Sequence, residues 1–272
     1  MKQILLTLKD GVIVGASMLL PGISGGTMAI ILGIYDTLIR SISSLRKNLK
    51  KSLLVLIPFC IGAGLGIVLL SKWVLEAVNL FPVPMHYLFI GVIIGSIPAL
   101  YQKANIRKFH PLYLLWASIG VAAMVGLAFI PEGLFAFESN EVSVGMFFLL
   151  LVAGLLVSIA LILPGISVSY LLLLLGLYDK TMQAISGLQF SFLIPLLLGG
   201  VIGIILTTKL LEKIMTHFPQ PTYLIILGFI LGSVISIFPG FPSFSELAIC
   251  TVTFSVGFIS IYLILRGQSD AV

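Results

Sequence analysis

Residues 21–36 read PGISGGTMAIILGIYD, and residues 164–179 read PGISVSYLLLLLGLYD. Pro, Gly, Ile, Ser, Gly, Tyr and Asp recur in identical register. Further motifs repeat in the same order. Pro58-x-x-x-Gly62-x-x-x-Gly66 matches Pro195-x-x-x-Gly199-x-x-x-Gly203, Phe81-Pro82-x-Pro84 matches Phe218-Pro219-x-Pro221, and Gly91-x-x-x-Gly95-Ser96 matches Gly228-x-x-x-Gly232-Ser233. Four collinear matches mark an internal duplication. The stretches around the first motif, about 4–39, and the second, about 144–178, are otherwise apolar. Proline at 21 or 164 removes a helix hydrogen bond, and the glycine after it weakens helix further. Each stretch therefore reads as two half-helices around an unwound loop, the second starting near Gly25 and near Val168.

Between these broken stretches lie six apolar segments, at about 52–72, 86–102, 111–130, 191–208, 222–238 and 246–265. Several reach the roughly 20 residues needed to cross a bilayer. Only 9% of the 272 residues are charged and 59% are hydrophobic, with mean hydropathy +1.21. A soluble domain carries about 25% charged residues, so a water-soluble globule is excluded. The fold class expected is an all-α polytopic membrane protein of two repeats, 1–130 and 144–267. Each repeat is a broken segment followed by three transmembrane helices. The N-terminal stretch lacks a small-x-small cleavage pattern and reads as mature protein. Cys60 and Cys250 have no paired spacing and suggest neither disulfide nor metal.

Charge distribution speaks to orientation. Suppose each broken segment dips into the bilayer and returns. One side then holds Lys2, Lys9, Arg40, Arg46, Lys47, Lys50, Lys51, Lys103, Arg107, Lys108, Lys209, Lys213 and Arg266, which is 13 of the 15 Lys and Arg residues, leaving Lys72 and Lys180 opposite. Positive-inside bias favours this re-entrant reading, with both termini cytoplasmic and the two repeats inverted. Residues 144–163 are also long enough to span alone, so the second hairpin is the weaker one. Inverted repeats with broken helices place a transported substrate near the midplane.

Backbone at membrane depth is tolerated where protein or a water-filled cavity satisfies it. In Pro21-Gly22-Ile23-Ser24-Gly25-Gly26-Thr27 the loop opens a helix, glycines allow close approach, and Ser24 and Thr27 add hydroxyls. This suits an anion, phosphate especially. Pro164, Gly165, Ile166, Ser167 and Ser169 offer the same setting in the second repeat. The bland alternative for each motif is a tight turn between packed helices. Tyr35-Asp36 and Tyr178-Asp179 end the second half-helices. They suit interfacial anchoring with a solvated carboxylate better than gating or holding a proton. Arg40 suits attraction of an anionic head group or a simple positive-inside role. The glycine series Gly62, Gly64, Gly66 and Gly199, Gly200, Gly203 suits close helix packing. His86 and His217 read as interfacial histidines. No Walker loop, zinc motif or nucleophile elbow is present. Few charges lie at membrane depth, which argues against a proton relay. No cofactor, metal or nucleic acid is implied.

The quoted motifs, in a chain matching over essentially its whole length, resemble the bacterial polyprenyl-phosphate transporter family of the PopT type. The second motif departs from the Ser-Gly pattern at Val168. The resemblance implies a multi-pass protein of the bacterial cytoplasmic membrane. It implies that the protein returns undecaprenyl phosphate from the outer to the inner leaflet for envelope-polymer synthesis, with bilayer lipid as surroundings and no enzymatic step. Two other classes stay open from the residues. One is a small-anion transporter or channel using the same loops. The other is a membrane-embedded polyprenyl-pyrophosphate phosphatase. Such a phosphatase would follow its Pro-Gly-x-Ser with an arginine and use a glutamate pair, whereas Gly25 and Gly26 follow Ser24 here.

Overall fold

The computed structural model describes residues 2–19, 24–104, 110–134 and 144–269. Pro21, Gly22 and Ile23 of the first motif lie outside them, as do Arg107, Lys108, Glu138 and Glu141. The described residues form twelve α-helices. In the first repeat these are α1 (Lys2–Ser17), α2 (Gly25–Ile31), α3 (Tyr35–Ser43), α4 (Leu49–Leu80), α5 (Pro82–Lys103) and α6 (Pro111–Ala128). In the second they are α7 (Val144–Ile162), α8 (Val168–Leu174), α9 (Tyr178–Ser186), α10 (Phe190–His217), α11 (Pro219–Ile237) and α12 (Leu247–Ser269).

Six helices are long and apolar enough to cross a membrane: α4, α5, α6, α7, α10 and α11. Five of them cover expected spans. α12 covers the sixth expected span, with an apolar stretch at Leu247–Leu263. α7 belongs to the set although a hairpin is expected there. Its 19 residues extend about 28 Å, against about 24 Å for the 16 of α1, at 1.5 Å per residue.

The breaks fall at the repeated motifs, with α2 opening at Gly25 and α8 at Val168. Each broken stretch nevertheless holds three helices rather than two. Gly33 and Gly176 adopt φ of 70° and 72°, a left-handed conformation that glycine takes at little steric cost. Ile34 N–H donates to Ala29 C=O and Leu177 N–H to Leu172 C=O, at 3.0 and 2.8 Å. These are Schellman closures, which stop a helix. Tyr35-Asp36 and Tyr178-Asp179 therefore do not end the second half-helices; they begin α3 and α9. There Asp36 and Asp179 occupy the first turn, where a carboxylate faces the positive end of the helix dipole.

Helices pair in a pattern that binds the repeats together. α1 packs along α4 and, equivalently, α7 along α10. The last helix of each repeat packs on the other repeat: α6 on α11 and α12 on α5. Close approach depends on glycine. A Cβ at Gly62 or Gly66 would overlap the carbonyl oxygen of Leu8 or Val12, and one at Gly199 that of Leu151. Gly203 meets Ser158 in the same way. Gly64 has no neighbour within 4 Å, and the nearest to Gly200 is at 3.9 Å. Four of the six glycines thus make the close contacts, while Gly64 and Gly200 point away from them.

The sequence-matched helices α5 and α11 run in opposite directions. The end of α5 (Lys103) and the start of α11 (Tyr223) meet at one carboxylate, that of Asp36. The start of α5 (His86) and the end of α11 (Ser236, Ile237) line one cleft. The molecule therefore has a cleft end and, opposite it, an end closed by polar contacts.

Candidate functional site: two crossed loops and a cleft

The two Pro-Gly-Ile-Ser loops meet. Ser24 caps α2, its Oγ accepting from Thr27 N–H at 3.1 Å and lying 2.9 Å from Thr27 Oγ1. The N–H of Gly165, in the other motif, donates to both Ser24 Oγ and Thr27 Oγ1 at 2.9 Å. Gly165 has φ of 92°, and a Cβ there would lie 2.8 Å from the Phe229 carbonyl oxygen. On the first loop, a Cβ on Gly26 would come to 3.1 Å from Ile162 O and 3.4 Å from Pro164. Tyr35 OH donates to that same Ile162 carbonyl at 2.9 Å, satisfying an acceptor that the end of α7 leaves open. Ser24, Thr27 and Tyr35 are 6%, 1% and 3% exposed. In this conformation the hydroxyls of Ser24 and Thr27 accept from the second loop's backbone and are buried.

The second loop faces a cavity of about 580 Å³. Gly165, Ser167, Ser169, Tyr170 and Leu173 line it from the motif and α8, Met18 and Leu19 from the end of α1, and His86 from α5. Met124 and Ala128 of α6 and Ser233, Ser236 and Ile237 of α11 complete the described wall. Ser167 sits at the N-cap of α8 with no side-chain cap bond, so its hydroxyl is not spent on its own helix. A smaller cavity of about 50 Å³ lies where Ser24 and Gly25 meet Ile166, Ser167 and Ser169. α2 and α8 have seven residues each, so hydroxyls rather than long helix dipoles dominate the polar character.

The matched positions differ between repeats. Ser167, Ser169, Tyr170 and Leu173 are partly or fully exposed; their counterparts Ser24, Gly26, Thr27 and Ile30 are buried. His86 lines the cleft, and its counterpart two residues after the second Phe-Pro-x-Pro is Tyr223, 8% exposed. Tyr223 belongs to the closed end. Its OH donates to Asp36 Oδ1 at 3.0 Å, and Lys103 Nζ donates to Asp36 Oδ2 at 2.9 Å while lying 5.8 Å from the Tyr223 ring centroid. Nearby, Ser43 donates to Glu212, and Arg40 is exposed beside a cavity of about 50 Å³ with Asp36, Glu212 and Tyr223. On the second repeat Asp179 is exposed and Tyr178 half-buried.

The structure thus brings Ser24, Gly26, Thr27 and Gly165 together, places Ser167 and Ser169 in the cleft, and sets Tyr35, Asp36 and Arg40 around the closed end. His86, Tyr170, Ser233 and Ser236 in the cleft, with Lys103 and Tyr223 at the closed end, are absent from the sequence-based site. The signal was there for three of them: Ser233 ends a repeated glycine motif, and His86 and Tyr223 follow the repeated Phe-Pro-x-Pro.

Residues 14–253 match the family model described as undecaprenyl phosphate translocase-like. The chain belongs to this family. It is 34% identical over 260 residues to a polyprenyl-phosphate transporter of Staphylococcus aureus, covering 92% of each chain. It is 30% identical over 247 residues to a polyprenyl-phosphate transporter of Vibrio cholerae, covering 86% of this chain and 77% of the relative. No solved structure matches the chain. The family places this chain among membrane proteins of lipid transport, in agreement with its apolar helices.

Proposed function

We propose that this protein carries a polyprenyl phosphate, undecaprenyl phosphate by family, from the outer to the inner leaflet of the bacterial cytoplasmic membrane. The observation that carries this is the cleft at the second motif. It offers Ser167, Ser169 and Ser236 to a phosphate head group amid apolar side chains. No carboxylate or arginine is among its described lining residues, so the charge stabilisation that phosphoryl-transfer chemistry uses is missing there. That favours transport over hydrolysis.

Charge supports the orientation this reading needs. The closed end carries Arg40, Lys103, Lys209 and Lys213 near the ends of α3, α5 and α10, and positive-inside bias makes it cytoplasmic. The cleft then opens toward the outer leaflet and loads there. The antiparallel course of α5 and α11 supports the inverted-repeat reading, with α1–α2 as a re-entrant hairpin. The buried counterparts Ser24, Gly26 and Thr27 form a collapsed second half-site. Release requires Gly165 to leave Ser24 and Thr27, and Lys103 to leave Asp36. The freed hydroxyls of Pro21–Thr27 then take the phosphate over from Pro164–Ser169. Tyr35, Asp36 and Arg40 act at this inner gate, and Tyr178 and Asp179 at the outer one.

The decisive measurement is leaflet-specific detection of undecaprenyl phosphate in cells with and without the chain. Loss of the chain should raise the outer-leaflet pool. The double variant Ser167→Ala/Ser169→Ala should behave like the loss while remaining inserted and folded. An outer-leaflet pool indifferent to the intact chain would defeat the reading.

A further inference from the structure

The smaller cavity, of about 50 Å³, is lined by both repeats in matched pairs. By the offset of Pro21 to Pro164, Met18 matches Leu161, Ser24 matches Ser167 and Gly25 matches Val168. All six line it. It is therefore a place where equivalent parts of the two repeats converge. It is also narrow. A cavity needs about 10–15 Å³ to hold one water, so this one suits a few waters or a single phosphate group and not an isoprenoid chain.

Three residues line both this cavity and the large cleft: Met18, Ser167 and Ser169. Two of them carry hydroxyls already assigned to the head group. Met18 is the apolar member of the three. A head group moving from the cleft to Ser24 therefore passes beside it. Neither repeated motif includes Met18.

Its backbone is held while its side chain is not. Met18 N–H donates to Val14 C=O at 3.1 Å, continuing α1, but the residue is 39% exposed, so packing does not lock the chain. The thioether lies over a glycine. A Cβ on Gly25 would come to 3.0 Å from Met18 Sδ and 3.2 Å from Met18 Cγ. The side chain thus rests in space that any other residue at 25 would claim. Methionine is unbranched and turns about three bonds. The matched pair in the second repeat is stiffer. Val168 has a Cβ where Gly25 has none and is β-branched, and Leu161 is shorter and branched.

We propose that Met18 is a movable apolar barrier between the cleft and the cavity shared by the two motifs. With its thioether over Gly25 the phosphate stays at Ser167 and Ser169. With the thioether turned away the phosphate reaches Ser24. This rests on the lipid-phosphate reading above. It adds one residue that sets how fast the head group is handed over without holding the head group itself.

The test separates rate from affinity in the full chain. In proteoliposomes carrying undecaprenyl phosphate, an impermeant phosphatase reads how fast the lipid crosses to the outside. In nanodiscs, calorimetry with farnesyl phosphate reads head-group binding. Met18→Trp, too bulky to clear Gly25, should slow transfer about tenfold while affinity stays within about twofold. Met18→Leu, which copies the second repeat, should slow it severalfold. Met18→Ala should transfer at least as fast as wild type. In a Ser24→Cys background, Met18→Ala should also speed labelling by a small anionic thiol reagent severalfold, and Met18→Trp should slow it. Wild-type transfer by Met18→Trp, or labelling indifferent to residue 18, overturns the proposal. So does an equal loss of affinity and transfer in Met18→Trp and Met18→Ala, which would make Met18 a wall of the binding site. A wild type that neither binds farnesyl phosphate nor moves undecaprenyl phosphate overturns the lipid reading instead, and the labelling arm, which needs no lipid, still judges the barrier.

Discussion

The same sixteen-residue motif occurs twice in this chain and is folded into two different situations. In the first copy Ser24 and Thr27 are buried. Its hydroxyls take the Gly165 N–H, Tyr35 is 3% exposed, and Asp36 holds both Lys103 and Tyr223. Around Ser167 the loop is open to a cavity of about 580 Å³, and Asp179 is exposed. The shared Pro-Gly-Ile-Ser and Gly-x-Tyr-Asp do not explain this; between them Thr27 of the first copy, which accepts from Gly165, is Tyr170 in the second. What differs is the partner each loop has found. On the transport reading proposed above, an opposite conformation would exchange the roles of the two motifs. Lys103 is one residue the duplication does not repeat: the position 137 residues on, by the offset of Gly91 to Gly228, is Gly240.

The severest way to break the contrast is at the crossing itself. Gly165→Val puts a β-branched side chain at φ of 92° and against Phe229 O. The backbone strain is about 1–3 kcal/mol before any clash is counted. Transport should fall at least a hundredfold. The loop should lose its grip on Ser24 and Thr27, read as faster thiol labelling of Thr27→Cys in the Gly165→Val background. Near-normal transport would mean that the loops need not meet.

A milder change sharpens the comparison. Lys103→Met removes the lysine that the open end lacks. The pair is partly exposed, at 27% and 31%, so its loss costs stability only about 0–1 kcal/mol. The effect should show instead as a shift of population. Labelling of Ser96→Cys, a site wholly buried here, should rise severalfold from the closed end, while the cleft becomes less reactive. Unchanged labelling at both sites would remove Asp36–Lys103 from the gate.

Much of this was legible before any coordinates. Duplication, membrane class and the break points at Gly25 and Val168 follow from Pro-Gly in apolar sequence, because proline and glycine act on the backbone locally. The extra helices α3 and α9 were legible in principle, since Gly33 and Gly176 precede Tyr-Asp in both copies. A glycine within a helical pattern, though, reads equally as tolerated or terminating. The meeting of Gly165 with Ser24 and Thr27 was not legible, being a contact across 138 and 141 residues of chain. Nor was the cleft. His86 looks interfacial by position, and only the cavity that α5 shares with α6, α8 and α11 gives it one to line.

The smallest effect separates packing from site. Gly62 and Gly64 are two residues apart on α4, and both belong to the glycine series that sequence alone assigns to helix packing. At Gly62 a methyl group would overlap Leu8 O, with backbone on every side; at Gly64 it would meet nothing. Gly62→Ala should therefore push α1 away from α4 and lower the unfolding temperature, at about 1–3 kcal/mol for overpacking. α1 also carries Met18 and Leu19 into the cleft, so transport should fall with it. Gly64→Ala should leave transport unchanged and, by the better helix propensity of alanine, add up to about 1 kcal/mol of stability. If both variants were equally harmful, Gly64 would face a partner that a single chain does not contain, and the α4 surface would have to be read as an interface.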